Sequence, residues 1–260
     1  MLLHVFNNNS IFKITLEVLR NSIYNEIGMK KIIINADDFG LTAKINQGII
    51  SAHKNGVVTS TSIIASDYSS AFDDAIRLAK ENPNLEVGIH IELDKFFNVD
   101  QTKGVVYNWV TEPAPVEQVR NEIRSQIARL KNAGINPPHI TSRHHVHLRN
   151  ELIPVVVDVA REQGIKIIRF ARRFFSHNGD FNRHKALIEQ NQIVFPEHFI
   201  EGWYWGNIDE NFSVAELATH PGYGELWREY ELTACCNPQL KSYLNEKNIQ
   251  LIKFVDLLNQ

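Results

Sequence analysis

Residue types suited to metal binding and proton transfer follow several apolar segments of this sequence. Asp37 and Asp38 come soon after the isoleucines of IIINADDFGLT, residues 32–42. His90 lies in VGIHIEL and His220 lies in THPG, each at or near the end of another apolar segment. Carboxylates and neutral imidazoles bind divalent metals such as zinc, and the same groups accept and donate protons. With a metal-bound water, such a set could hydrolyse an amide or an ester.

The elements that would position these residues alternate between short apolar segments and amphipathic helices. KIIINA predicts a first strand, and Thr42 is placed to cap a helix that ends near Asn55. This alternation continues along the chain and predicts a parallel sheet with right-handed crossovers. We therefore predict an α/β fold of the incomplete or distorted TIM-like (β/α) barrel type, with a doubly wound open sheet as the alternative.

Both architectures place the active site outside the carboxyl ends of the strands. Asp37 and Asp38 follow the first predicted strand, and His90 and His220 end two others, so all four should converge on one face. Each residue also has a simpler explanation. Asp38 could cap the following helix, His90 could be a hydrogen-bonded core histidine, and His220 could be a turn residue. Neither a G-x-S-x-G nor a G-x-x-x-x-G-K-[ST] motif is found, so a serine hydrolase or a P-loop has no support.

The segment HITSRHHVH, residues 139–147, predicts a fourth strand that ends in histidines. Strand alternation would place one set of side chains on the same face and His144 on the other. The members of that set are His139, Thr141, Arg143, His145 and His147.

Composition excludes several classes of protein. The chain has 260 residues, 43% of them hydrophobic, a formal net charge of −3 and no basic block, so nucleic acid is not an expected partner. No apolar run approaches the roughly 20 residues of a membrane span. Cys235 and Cys236 are adjacent and cannot cross-link the fold, which favours a cytoplasmic protein.

Residues 1–28 are predicted to be an amino-terminal extension, and residues 29–260 a single domain.

Several of these motifs together resemble the YdjC-like family of carbohydrate deacetylases. They are NADDFGLT, GVVTSTSIIA, VGIHIEL, HITSRHHVHL and THPG, in matching order and spacing from Lys31 to about Phe254. The resemblance implies an incomplete TIM-like barrel and a divalent metal, Mg²⁺ or Zn²⁺. It also implies hydrolytic removal of acetyl groups from N-acetylated sugars.

By position, Asp37 resembles the catalytic base of the family and Asp38 its metal-ligating aspartate. His90 resembles the first metal-ligating histidine. His220 resembles the histidine that assists the leaving group.

Two positions depart from the family pattern. Arg143 stands where the family has its second metal-ligating histidine, and Thr141 stands where it has a supporting aspartate. Arginine stays protonated and offers no lone pair to a metal. Three explanations are open. His145 could supply the ligand, Asp38 and His90 could hold a metal weakly, or the chain could be a divergent, non-catalytic carbohydrate-binding member.

Aromatic and polar residues near these motifs suggest sugar contacts. Flat aromatic rings stack on the apolar faces of sugars, although core packing is the alternative role for each ring. The predicted substrate-binding residues are Arg143, His147, Trp203, Trp205 and Tyr223. A small carbohydrate is the expected partner, and a homodimer is left open.

Overall fold

The structure is a computed structural model and describes residues 29–202 and 208–259. The strands are β1 (Lys30–Phe39), β2 (Ser60–Ile63), β3 (Glu86–Ile91), β4 (Phe97–Asp100), β5 (Val105–Trp109), β6 (His139–Ser142), β7 (Ile167–Ile168), β8 (His198–Glu201), β9 (Val214–Thr219) and β10 (Ile249–Ile252). The α-helices are α1 (Ala43–Asn55), α2 (Phe72–Glu81), α3 (Val116–Asn132), α4 (Ile153–Gln163), α5 (Asn178–Gln190), α6 (Leu226–Cys235) and α7 (Pro238–Glu246). Short 3₁₀ helices cover Asp94–Phe96, Arg143–Leu148, Arg172–Phe174 and Phe254–Asn259. The predicted extension, residues 1–28, lies outside the described residues.

An eight-stranded parallel sheet forms the centre of the fold, with seven strands in the order β7-β6-β3-β2-β1-β9-β8 and β10 paired with β1. Strand β1 is long enough to pair along one edge with both β10, through Lys30–Ile33, and β2, through Asn35–Phe39. Its other edge pairs with β9. The sheet is curled into a half-barrel flanked by helices, which confirms the predicted incomplete barrel. Strands β4 and β5 form a separate hairpin within the long connection between β3 and α3.

Alternate residues of the strands face two different environments. In β1, Ile32, Ile34 and Ala36 belong to the main apolar core, which includes residues of the surrounding helices. Ile33 instead packs in a smaller cluster together with Ile167, Ile252, Phe254 and Leu257. We call this second face the inner face of the sheet. The small cluster fills its amino-terminal end.

Beyond this small cluster the inner face is polar. Its buried side chains include Asn35, Asp37, Ser60, Ser62, Glu86, His90, His139, Thr141, Arg169 and Glu216. Hydrogen bonds and close ion pairs connect them, for example between Ser62 and Asp37 and between Ser60 and Glu86. Buried polar groups are stable when paired in this way, so the half-barrel presents a connected polar surface to the site above it.

Helix α1 fixes the turn that follows the two carboxylates of β1. Thr42 Oγ1 accepts a hydrogen bond from the Ile45 amide at 3.2 Å, which is the predicted helix cap. Asn46 Oδ1 accepts from the Gly40 amide at 2.7 Å and thereby fixes the turn that follows Asp38. None of the helices in the described ranges is both long and apolar enough to cross a membrane.

Candidate active site

A cavity of about 970 Å³ opens at the carboxyl ends of the strands. Asp37, Asp38, His90, His145 and His220 all line it, as expected from their common position after strands. Arg143 and Tyr223, two of the predicted substrate contacts, also line it, together with Lys44, Trp227 and Arg228. Residues far apart in the sequence therefore meet in a single cavity.

Asp37 is held by four hydrogen bonds. Its Oδ1 accepts from Asn35 Nδ2 at 2.7 Å, Ser62 Oγ at 2.8 Å and an Arg169 nitrogen at 2.9 Å, and its Oδ2 accepts from Arg169 at 2.7 Å. Burial alone would raise its pKa, but Arg169 and nearby histidines outweigh burial and hold the pKa of Asp37 well below its usual range. Asp37 is therefore ionised at any physiological pH.

Arg169, at the end of the apolar segment IKIIRF, was not singled out in the sequence. It is fully buried and also donates from Nε to Glu216 Oε1 at 2.8 Å. One guanidinium thus serves two buried carboxylates. Burial raises the pKa of Glu216 to about 7, because it outweighs the attraction of Arg169. The signal available in the sequence was a charged residue at the end of a buried strand, the same position that identified Asp37 and His90.

Asp38 turns away from its neighbour because its backbone adopts a left-handed conformation with a φ of 71°. Its Oδ2 accepts from Arg228 at 2.7 Å, and its Oδ1 lies 3.5 Å from His90 Nε2. Burial raises the pKa of Asp38, but Arg228 and His90 outweigh this and lower it to about 2. The cap of α1 is Thr42 and not Asp38. The carboxylate of Asp38 lines the cavity instead.

His90 is a neutral ring between the two carboxylates and two hydroxyls. Its Nδ1 lies 2.7 Å from Thr141 Oγ1 and 3.1 Å from Ser62 Oγ. Burial lowers the pKa of His90 to about 4, because it outweighs the attraction of Asp37 and Asp38. The hydroxyl of Thr141 therefore orients this imidazole.

His220 approaches from the opposite wall, after β9. Its Nε2 lies 3.9 Å from Asp37 Oδ2 and its Nδ1 lies 3.7 Å from Glu231 Oε2. Glu231 Oε2 also accepts from Thr219 Oγ1 at 2.6 Å and from the His220 amide. Burial would lower the pKa of His220, but Glu231, Asp38 and Asp37 outweigh it and raise the pKa to about 9. His220 is therefore a cation at neutral pH.

The prediction of a fourth strand through His147 is wrong beyond Ser142. The chain bends into a 3₁₀ turn, and His144 and His145 both adopt a φ of 52°. The bend is stabilised by Ser142 Oγ, which accepts from the His147 amide at 3.0 Å. His147 is buried with its Nε2 2.9 Å from the Arg169 carbonyl oxygen, and the structure does not bring it to the cavity.

Arg143 and His145 occupy different parts of the cavity wall. Arg143 donates from Nε to Asp94 Oδ2 at 3.0 Å and from Nη2 to Gln101 Oε1 at 2.7 Å. His145 Nε2 lies 3.3 Å from Glu201 Oε1. The His145 ring also contacts Phe174 and Phe199, with centroid distances of 4.7 and 5.3 Å.

Only some of the aromatic residues considered as sugar contacts lie in the described part of the chain. Tyr223 is 42% exposed and Trp227 is 39% exposed, and both lie on the cavity wall. Trp203 and Trp205 fall in residues 203–207, outside the described residues. The guanidinium of Arg228 lies 4.2 Å from the Trp227 ring centroid.

The side chains around the cavity do not form a complete metal site. Within residues 29–202 and 208–259, no group of three His, Cys, Asp or Glu side chains is arranged to hold a metal ion. Asp38 and His90 are a facing pair, but Arg228 occupies the second oxygen of Asp38. The predicted third ligand, His145, has one nitrogen at Glu201 and the other buried without a hydrogen bond in the described structure. The donor set therefore does not fit the divalent metal that the resemblance implies.

Comparison with known proteins identifies similar chains over most of the length. The family model described as YdjC-like protein matches residues 31–246. A carbohydrate deacetylase of Clostridium beijerinckii is 33% identical, with 87% of this chain and 100% of that relative covered. A carbohydrate deacetylase of Brevibacillus brevis is 30% identical, with 87% and 99% covered. The crystal structure of a putative cellobiose-phosphate cleavage protein from Enterococcus faecalis is similar with a TM-score of 0.69 and 27% identity, covering 88% of this chain and 99% of that one.

Proposed function

Because this chain belongs to the YdjC-like family, we propose that it is a carbohydrate deacetylase. Such a hydrolase cleaves the amide bond of an N-acetylated sugar and releases acetate. The relatives named as carbohydrate deacetylases support this proposal. The observation that carries it is the pairing of an ionised Asp37 with a protonated His220, 3.9 Å apart at the cavity.

Amide hydrolysis needs a proton acceptor for the attacking water and a proton donor for the leaving amine. We assign the first role to Asp37 and the second to His220. The water oxygen adds to the acetyl carbonyl carbon while its proton passes to Asp37. The carbon–nitrogen bond then breaks as His220 protonates the nitrogen, which gives acetic acid, ionised to acetate in water, and a free amino sugar. The proton held by Asp37 then passes to His220, which restores both groups.

The two groups are not equally suited to these roles. His220, with a pKa of about 9, is protonated at neutral pH and can still release its proton to an amine. Asp37 is always ionised, but the bonds from Arg169 weaken it as a base. Asp37 can therefore act over a wide pH range, whereas the protonation of His220 sets the upper limit of activity.

The cavity has the size and lining expected for a sugar. A volume of about 970 Å³ is within the range of small-molecule sites in proteins. Tyr223 and Trp227 are partly exposed aromatic residues at its wall, and Lys44 offers a polar group. Ring faces can stack on a pyranose while polar groups bond to its hydroxyls.

A non-catalytic carbohydrate-binding protein is the second candidate. It is favoured by Arg143 in the position of the family's second metal-ligating histidine and by the lack of a three-ligand group among the described residues. The two functions differ in one measurable property. Both proteins would bind an N-acetylated sugar, but only the deacetylase would consume it.

The test measures binding and acetate release on the same preparations. Wild type and His220→Asn are each titrated with N-acetylglucosamine oligomers by calorimetry, and acetate is measured after prolonged incubation. We expect wild type to release acetate and His220→Asn to bind the sugar with a strongly reduced rate of release. Sugar binding by wild type without any acetate would favour the binding protein. Exposed Gln47→Ala, on the outer side of α1, serves as the control variant.

A further inference from the structure

The cavity carries arginine side chains in the region where the family resemblance implies a metal. Arg143 lies at the position of a metal-ligating histidine, and Arg228 is buried against Asp38 with a nitrogen–oxygen distance of 2.7 Å. We propose that this cavity takes up no divalent metal and that the guanidinium of Arg143 supplies the positive charge in its place. The catalytic part of this proposal rests on the proposed deacetylase function.

One carboxylate oxygen of Asp38 is already engaged, and no third protein ligand joins Asp38 and His90 among the described residues. Arg228 donates to Oδ2 of Asp38, which leaves Oδ1 facing His90. Catalytic zinc sites usually have three protein ligands and an open position. His145, the predicted third ligand, has its Nε2 3.3 Å from Glu201 Oε1, and its ring packs on Phe174. Moving His145 to a metal at Asp38 would break both contacts and disturb a turn with two left-handed residues.

The charge of the cavity also opposes a second cation. Arg143 is always protonated, and Asp38 and Asp94 raise its pKa further against the effect of burial. With Arg228 at Asp38, the negative charge that would attract a metal is already balanced within the chain.

Arg143 is held in a defined position in the cavity wall. Asp94 and Gln101 accept hydrogen bonds from two of its nitrogens, and its guanidinium lies 4.7 Å from the centroid of the Tyr68 ring. Its Nη1 donates to no group in the described part of the chain. A fixed guanidinium of this kind stabilises a developing oxyanion by hydrogen bonding and charge, without forming a covalent bond. When water adds to the acetyl carbon, the negative charge that collects on the carbonyl oxygen is the charge Arg143 would stabilise.

The direct test is metal binding, which does not depend on activity. Wild type, Arg143→His and Arg149→His are freed of metal with a chelator and titrated calorimetrically with Zn²⁺ and Mg²⁺. Arg149 is the matched control, because it lies six positions along the chain and does not line the main cavity. Its replacement adds an imidazole and removes a charge outside the site.

We expect no saturable binding by wild type or Arg149→His. Arg143→His, which offers an imidazole as a third ligand beside Asp38 and His90, should gain one saturable Zn²⁺ site per chain. One equivalent of Zn²⁺ bound by wild type and lost in His90→Asn would overturn the proposal. Equal Zn²⁺ affinity of wild type and Arg143→His would also overturn it.

Activity then tests the role of Arg143. Acetate release by wild type should be unchanged by the chelator. Arg143→Lys keeps the positive charge but loses the planar guanidinium with its several N–H donors. It should lower kcat about 100- to 1,000-fold, as removal of one oxyanion-hole donor does in other enzymes. Full activity of Arg143→Lys would contradict this role. If wild type binds no metal and releases no acetate, the deacetylase proposal fails while the exclusion of metal stands.

Discussion

Asp37 and His220 show how the same cavity gives neighbouring groups opposite charges. Arg169 keeps Asp37 ionised through two hydrogen bonds, and Glu231 helps to keep His220 protonated. Each partner lies on the inner face or in an adjoining helix, away from the cavity centre. The chemistry proposed for the two residues therefore depends on buried partners as much as on the residues themselves.

Asp37→Asn should lower acetate release by about 100- to 10,000-fold, because it removes the proton acceptor. It should also destabilise the protein by up to about 3–5 kcal/mol, since Arg169 loses one of its two carboxylate partners in the interior. Urea unfolding and acetate assays measure the two effects. Glu216→Gln removes the other partner of Arg169 and should affect turnover much less than stability. Asp37→Asn with full turnover would show that Asp37 is not the base.

The rate of acetate release should decline on the alkaline side of its pH profile only. Because the pKa of His220 is raised to about 9, activity should fall as pH rises through about 9, while Asp37 stays ionised well into the acid range. The same shift stabilises the fold. Since the folded pKa lies above the ordinary value of 6.5, this stabilisation is fully present below pH 6.5 and is lost as pH rises through about 9.

Glu231→Gln tests the cause of that alkaline decline. Removing the carboxylate that faces His220 Nδ1 should lower the pKa of His220 and move the alkaline limb to lower pH. A pH–rate profile of kcat/KM measures the shift. Glu246→Gln, at an exposed position of α7, should leave the profile of wild type in place. A limb that stays near pH 9 in Glu231→Gln would assign it to another group.

At the scale of elements, α1 packs closely on the turn that carries His220. A Cβ at Gly48 would lie 2.4 Å from the Cα of Gly222, which is shorter than any contact the backbone allows. Glycine at this position therefore sets the distance between the helix after Asp38 and the loop after β9. The two walls of the cavity are joined at this contact.

Gly48→Ala should force the His220 turn away from α1. We expect a loss of about 1–3 kcal/mol in the free energy of unfolding, typical of overpacking, and a lower kcat because His220 moves relative to Asp37. Urea denaturation and acetate release measure the two effects. Gln47→Ala, one position earlier and exposed, should change neither. Wild-type stability of Gly48→Ala would show that the turn is free to move.

The sequence predicted strands and helices best where a local pattern, such as an apolar run or a helix cap, was enough to define them. Apolar runs followed by Thr42 or by THPG identified β1, α1 and β9. The segment after Ser142 kept a polar alternation that is also compatible with a strand, so its bend was missed. The bend brings His147 to the Arg169 carbonyl oxygen, a contact between residues 22 positions apart that no local pattern contains.

Arg169, Arg228 and Glu231 were missed in the candidate site for a related reason. Each acts through a partner distant in the sequence, such as Asp37 for Arg169 across 132 positions. Single-sequence patterns identify residues that end strands, and they do not identify which of those residues pair. The lining residues were thus largely predictable, whereas the buried network that sets their charges was not.

At the scale of the whole molecule, the half-barrel has two distinct ends. An apolar cluster containing Ile33, Ile167 and Phe254 fills the amino-terminal end, and the polar inner face leads to the cavity at the other. Parallel strands buried on both faces are usually apolar throughout. The polar inner face is stabilised by its mutual hydrogen bonds, and it gives the cavity a floor of buried charged groups with fixed positions.

Removal of residues 1–28 should leave the fold and the cavity intact. The sheet begins at Lys30, which pairs with Ile249 and whose Nζ donates to the Glu210 carbonyl oxygen at 2.7 Å. The family match begins at residue 31, and 87% of this chain accounts for the full length of the Clostridium relative. A chain starting at Met29 should therefore melt within a few degrees of the full chain, since a change of about 1 kcal/mol shifts Tm by roughly 2–4 °C in a protein of this size. Thermal unfolding of both chains, with acetate release as a second measure, makes the comparison. A much lower Tm for the shortened chain would show that residues 1–28 contribute to the stability of the domain and would contradict the predicted division at residue 29.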